Sequence, residues 1–191
     1  MDKLNTKFNI ILGSKSPRRK ELLNLMGLQF RVESNDVLET YPQNLTPIQI
    51  AKYLSNKKAE SHLVTKNDLI ICADTIVYYN NIILGKPKNK AEAIIMLKKL
   101  SNKEHKVVTG VTLKTVNKQI SFHDTTTVCF YKLTEKEISY YINNFNSLDK
   151  AGAYGIQEWI GSIGIRTISG SFYNVMGMPT SKLYQLLNKL N

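Results

Sequence analysis

Cysteine is nearly absent from this chain: two residues, Cys72 and Cys129, in 191. With no Cys-x-x-Cys and no second pair, a disulfide framework and a thiolate metal site are both disfavoured. Each cysteine sits in an apolar, strand-like run, where a reduced core thiol of a cytoplasmic protein is expected. Histidine is scarce as well: His62, His105 and His123 are dispersed, with no His-x-x-x-His, and each reads as a surface or turn residue. Acidic residues are few, 15 against 26 Lys and Arg, giving a formal charge of +11. Lysine dominates that excess and asparagine is abundant, so the charge reflects composition more than a nucleic-acid surface, although it suits a polyphosphate substrate. Nowhere do about 18 apolar residues run together, and the opening Met1–Lys7 carries no long apolar core. No membrane span or export signal is expected, which places the chain in the cytoplasm. Two catalytic signatures are also missing. There is no Gly-x-x-x-x-Gly-Lys-Ser/Thr, and Gly85-Lys86-Pro87 cannot open a P-loop helix; Ser16, followed by proline, lacks a nucleophile elbow.

What is present begins with Asn9–Leu23. The run from Phe8 to Leu12 reads as a short apolar strand, Gly13-Ser14 as its exit, and Ser16-Pro17 as the N-cap and first turn of a helix burying Leu22, Leu23 and Met26. The positive end of that helix points at the carboxyl edge of the strand, where open α/β sheets bind ligands. Arg18 and Arg19 in the first turn are mildly unfavourable beside that dipole, and a phosphate would compensate them.

The run Leu69–Tyr79 predicts a central strand buried on both faces, interrupted by one acid, Asp74. A carboxylate inside a sheet costs several kcal/mol unless it meets a cleft, a metal or a cation. Asn80-Asn81 predicts a hairpin turn leading to Gly85-Lys86-Pro87. Helices are expected over Pro47–Leu63, with Ile50, Tyr53 and Leu54 on the buried side, and over Lys90–Leu100, Glu135–Asn144 and a last segment after Met178-Pro179-Thr180. Thr134 and Glu137 form a capping box. Two longer strands are expected at His105–Val116 and Gln119–Leu133, and the Thr125–Thr127 triplet reads as a polar sheet face. Lys58, late in its helix, reads by position alone as a dipole complement and solvent cover sooner than as a functional cation. No repeat, linker or low-complexity tract divides the chain, so one α/β domain over residues 1–191 is expected.

These readings leave a hard-oxygen constellation: carboxylates Glu39 and Asp74 with cations Arg18, Arg19, Lys58 and Lys86, all at strand or helix ends. A magnesium-bound triphosphate needs such a mixture, with few carboxylates on a water-rich metal and fixed cations on phosphate.

The segments Ser14-Lys15-Ser16-Pro17-Arg18-Arg19, Ala73-Asp74-Thr75, Leu84-Gly85-Lys86-Pro87, His105–Gly110 and Asp149–Gln157 resemble, in order and spacing, the Maf family of nucleotide pyrophosphatases. That resemblance implies a central mixed, strongly twisted β-sheet flanked by helices, with an ITPase-like cleft at the strand ends. It implies hydrolysis of a nucleoside triphosphate to monophosphate and pyrophosphate with a divalent metal, Mg2+ or Mn2+. It implies Asp74 as proton acceptor, Glu39 (rather than Glu33) and Asp74 as metal ligands, and Ser14, Arg18, Arg19, Lys58 and Lys86 on the phosphates. Arg18, Thr75 and Gln157 match the branch acting on dTTP and UTP; a sister branch acting on 7-methyl-GTP differs at all three. Glu158-Trp159 departs from the family pattern directly after Gln157. No nucleic acid or membrane partner is implied, and a homodimer is compatible. The alternatives are 7-methyl-GTP hydrolysis and a non-catalytic nucleic-acid-binding protein.

Overall fold

Three consecutive buried aliphatics, Ile10, Ile11 and Leu12, put the first strand inside a sheet. Strand β1 (Asn9–Leu12) is followed by helix α1 (Pro17–Leu25) and strand β2 (Phe30–Val32), then by helix α2 (Pro47–Glu60) and strand β3 (Asp68–Tyr79). β1 pairs in parallel with both β2 and β3, and a strand covered on both edges and both faces shows no polar alternation. The structure, a computed structural model, describes residues 7–190. The first six residues of the segment read for an export signal lie outside the described residues. Among the described residues no helix is long and apolar enough to cross a membrane.

The chain continues through β4 (Ile82–Leu84), α3 (Lys90–Leu100), β5 (Glu104–Lys114), β6 (Gln119–Phe130) and α4 (Glu135–Asn144). A single 3-10 turn at Ala151–Ala153 precedes α5 (Trp159–Gly164), β7 (Ile165–Ser169), α6 (Phe172–Met176) and α7 (Thr180–Leu190). The strands form a seven-stranded sheet in the order β2-β1-β3-β5-β6-β7, with β4 paired to β3. β4 and β7 run antiparallel to their partners, so the α/β fold has a mixed sheet flanked by helices. The chain divides into two compact units: residues up to Asp74 with Thr109–Asp124 and everything from Gly177, and Thr75–Val108 with Thr125–Met176.

In the first unit, Ala59 of α2 packs on Ile11, Ile70 and Cys72. α2 lies so near β5 that a Cβ on Gly110 would run into the backbone of Ala51 and Lys52, which gives this glycine its purpose in the strand. The buried stripe of α2 runs through Ile50, Ala51, Leu54, Ser55 and Ala59. Tyr53, expected on that side, lies off the stripe and is 38% exposed. His62, expected at the surface, is buried beside Gly13 and Cys72. Burial also pushes the Cys72 thiol up to about 12, so it is a core residue and not a nucleophile.

In the second unit, Asn80 and Asn81 take φ values of 47° and 61°, the left-handed pair of a tight hairpin turn between β3 and β4. Thr134 and Glu137 form the expected capping box at the start of α4. His105, also expected at the surface, is buried, stacked on Phe130, with Nε2 2.7 Å from the Tyr154 hydroxyl. Its Nδ1 has no hydrogen-bond partner, and burial holds the ring down at about 4. The ring is therefore neutral when folded and takes a proton when unfolded. Its contribution to stability is full above its ordinary value near 6.5 and is lost as pH falls toward 4. Wild type should lose up to about 3 kcal/mol from this group between pH 7 and pH 4. Urea unfolding of His105→Gln at both pH values should show a correspondingly shallower loss; an unchanged slope would exclude His105 as its source.

Candidate active site

The turn after β1 gathers polar contacts around Arg19, two from its own neighbourhood and one from far along the chain. Ser14 Oγ accepts from the Ser16 backbone N–H at 3.2 Å and from Arg19 Nη1 at 3.1 Å, while Arg19 Nε donates to the Gly177 carbonyl at 3.0 Å. Ser16 caps α1 through backbone conformation only, because its side chain makes no cap hydrogen bond, and Pro17 occupies the first turn. The Arg19 guanidinium is thus held at the positive end of a helix with Arg18 beside it. Burial lowers its affinity for its proton and Arg18 adds to that, while Asp74 opposes both.

β3 carries two buried acids, and their surroundings separate their roles. Asp68, at the strand start, accepts from the Thr65 N–H (3.0 Å) and hydroxyl (2.7 Å), and these bonds hold its carboxyl below the usual range. It is a turn staple. Asp74, six residues on, is 7% exposed and accepts a hydrogen bond from Lys58 Nζ. Burial pushes its carboxyl above the ordinary range against the pull of Lys58 and Arg19, and Glu39 pushes it further. An acid kept inside a sheet at that cost, with its affinity for a proton raised, is placed for proton transfer.

The third part of the site comes from α2 and the irregular loop before it. Lys58 Nζ donates to Glu39 Oε1 at 2.8 Å as well as to Asp74, so both carboxylates converge on one ammonium. Glu33, the other loop acid weighed for this place, instead accepts from Arg31 Nε at 2.6 Å. The neighbouring lysine, Lys57, supports the loop in a way that its own sequence window does not announce. Its Nζ donates to the Leu38 carbonyl (2.9 Å), the Thr40 carbonyl (3.3 Å) and Thr40 Oγ1 (3.2 Å), gripping the backbone on either side of Glu39. The Lys57-Lys58 pair at the helix end was the available signal, since adjacent residues on a helix face different directions.

Ser14, Arg18, Arg19, Glu39, Lys58 and Asp74 belong to one unit. Thr75, Lys86 and Gln157 belong to the other. Asp74, expected at a strand end with the others, lies in the interior of β3, because that strand continues past it to Tyr79. Thr75 follows Asp74 directly on β3 and is half-buried. Lys86 is exposed in the turn after β4, where the Gly152 N–H donates to the Gly85 carbonyl at 3.1 Å. Gly152, at φ 70°, lies against Val77, and a Cβ there would stand 2.9 Å from Val77 Cγ1. The Gly152–Gly85 bond ties the Gly-Lys-Pro segment to Asp149–Gln157, and the Val77 contact packs the same segment on β3. Gln157 is exposed, in a turn just ahead of α5.

The donors available to a metal are hard carboxylate oxygens, Glu39 and Asp74, already converging on a cation. Among the described residues no group of three or more His, Cys, Asp or Glu converges in this way. The set fits a metal such as magnesium that takes one or two carboxylates and completes its shell from water and substrate phosphate.

A buried carboxyl of raised proton affinity bonded to a lysine, with further fixed cations in the same unit of a mixed sheet, suits, as a class, an α/β enzyme that handles phosphate anions. The chain belongs to the Maf-like protein family, whose model matches residues 9–190. It is 50% identical over 187 residues to a protein of Phocaeicola vulgatus named dTTP/UTP pyrophosphatase, covering 96% of this chain and 97% of that one. A protein of the same name from Bacteroides thetaiotaomicron is 48% identical over the same shares. Among solved structures, a HAM1 protein from Coxiella burnetii shares the fold at a TM-score of 0.52 and 13% identity, covering 95% of this chain and 99% of that chain.

Proposed function

We propose that the protein hydrolyses dTTP and UTP at the α–β phosphoanhydride, giving the nucleoside monophosphate and pyrophosphate, with Mg2+ or Mn2+ as cofactor. The observation that carries this reading is the buried Asp74 held with Glu39 on Lys58, in a chain half identical to a named dTTP/UTP pyrophosphatase.

Asp74 takes the proton of the attacking water. Its raised affinity for a proton strengthens it as a base at neutral pH. Lys58 orients the carboxylate and keeps it ionised until the proton arrives. Arg19, pinned by Ser14 and Gly177, presents a fixed planar fork to phosphate oxygens, and Arg18, Ser14 and Lys86 contribute the remaining phosphate contacts. Glu39 and Asp74 would hold the divalent metal, which when bound supplies charge neutralisation on the triphosphate. Arg18, Thr75 and Gln157 set the choice of nucleotide. The Gln157 carboxamide can accept from N3–H and donate to O4 of uracil or thymine. Cytosine presents the reverse pattern, so its rejection requires an amide that cannot flip.

A panel of UTP, dTTP, CTP, GTP and 7-methyl-GTP with magnesium tests this choice. UTP and dTTP should exceed CTP by about tenfold or more and lie within about tenfold of each other, since one methyl group adds little discrimination. Equal rates on CTP would remove a fixed Gln157, and 7-methyl-GTP as best substrate would move the protein to the sister branch.

A further inference from the structure

Gln157 stands at the third position of the turn Gly155–Glu158, closed by a bond from the Glu158 N–H to the Gly155 carbonyl at 3.0 Å. Both ends of that turn meet on one atom. The Tyr141 hydroxyl of α4 accepts from the Gly155 N–H at 3.0 Å and donates to Glu158 Oε2. Tyr141 is fully buried, and Lys150, 5% exposed, sits 2.9 Å from Glu158 Oε1. Lys150 is itself held by Asp149 at 2.8 Å and by the Asn146 carbonyl. The clamp leaves no slack: a Cβ on Gly155 would stand 2.8 Å from the Glu158 carboxyl carbon and 2.9 Å from Lys150 Cε. Downstream, Gly161 packs against the Ile156 backbone, and Trp159 lies 4.7 Å from the Tyr140 ring. The residues after Gln157 that depart from the family pattern are therefore the ones that tie its turn to α4.

We infer that Tyr141, Glu158 and Lys150 are positioning residues for nucleotide selection: they fix the backbone of the turn that presents Gln157 and so set where its carboxamide meets the base. This rests on the reading of Gln157 as the group that meets the pyrimidine edge. A buried phenol accepting from one end of a four-residue turn and donating to the other removes the turn's freedom to rock, and Lys150 Nζ, 2.9 Å from Glu158 Oε1, holds the carboxylate beside the phenol. A turn that keeps its place brings the amide to the same edge of every base and favours the base whose donors and acceptors suit that approach; a turn that rocks relaxes the choice.

The test compares kcat/KM for UTP and CTP in wild type, Gln157→Ala, Tyr141→Phe and Glu158→Gln, with thermal unfolding of each. Tyr141→Phe keeps the ring and its stacking on Phe145 and removes only the shared oxygen. The expected result is a UTP-to-CTP preference reduced about tenfold in Tyr141→Phe, through gained CTP turnover and a raised KM for UTP. Glu158→Gln should show a smaller reduction, because it keeps an acceptor for the phenol. An unstable Tyr141→Phe transfers the reading to Glu158→Gln. If Gln157→Ala abolishes the preference and both clamp variants keep it at the wild-type level, the clamp is structural and this inference is overturned. If Gln157→Ala itself keeps the preference, the assignment of Gln157 fails, and the clamp's role falls with it.

Discussion

Asp74→Asn should lower UTP turnover by about three orders of magnitude, the range expected when a positioned general base is removed. The substitution is isosteric, so the Lys58 ammonium keeps an acceptor and its bond to Glu39. The fold should survive, because burial already opposes the Asp74 charge more than its partners favour it. A neutral amide removes that cost, and the melting temperature at pH 7.5 should equal or exceed that of wild type. Steady-state kinetics with UTP and a thermal melt on the same preparation check both statements. Turnover within tenfold of wild type would remove Asp74 from the chemistry.

Lys58→Met should damage stability and activity together. Lys58 and Asp74 are both largely withdrawn from solvent, with side chains 16% and 10% exposed. Removing the ammonium leaves a buried carboxylate with the pull of the partly desolvated Arg19 to set against its burial. Breaking a buried pair from one side costs about 3 kcal/mol or more, which is about 6–12 °C in melting temperature for a chain of this length. Glu39 also loses its 2.8 Å partner, leaving the grip of Lys57 on the Leu38 and Thr40 carbonyls to hold its loop. The double variant Lys58→Met/Asp74→Asn should regain most of the lost stability and none of the turnover. A double variant as unstable as Lys58→Met would show that the penalty does not come from the stranded acid.

Local chemistry made much of this legible before the coordinates. The strand-turn-helix at Asn9–Leu25, the Asn80-Asn81 hairpin, the Thr134–Glu137 box and the apolar strand around Asp74 each follow from a few adjacent residues. What escaped depends on partners far along the chain. His62 and His105 look like surface residues in their own windows and are buried by neighbours that no window contains. β7, an edge strand with mostly exposed positions, carries no buried run to announce it, and α5 and α6 are too short to show a helical period. Lys57 and Lys58 are indistinguishable as letters; the turn of α2 sends one to the backbone around Glu39 and the other to two carboxylates. Tyr141 is legible as a buried position of an amphipathic helix, but its bond to Glu158, 17 residues on, is a tertiary fact.

In the proposed reaction water attacks the α-phosphorus of a pyrimidine nucleoside triphosphate. Hydrolysis of UTP in 18O-labelled water, with both products resolved by mass spectrometry, tests it directly. The expected products are UMP and pyrophosphate in equal amounts, with the label in UMP alone. Label in pyrophosphate would place the attack on the β-phosphorus, and orthophosphate with UDP would place it at the terminal phosphate; either result would contradict the assignment.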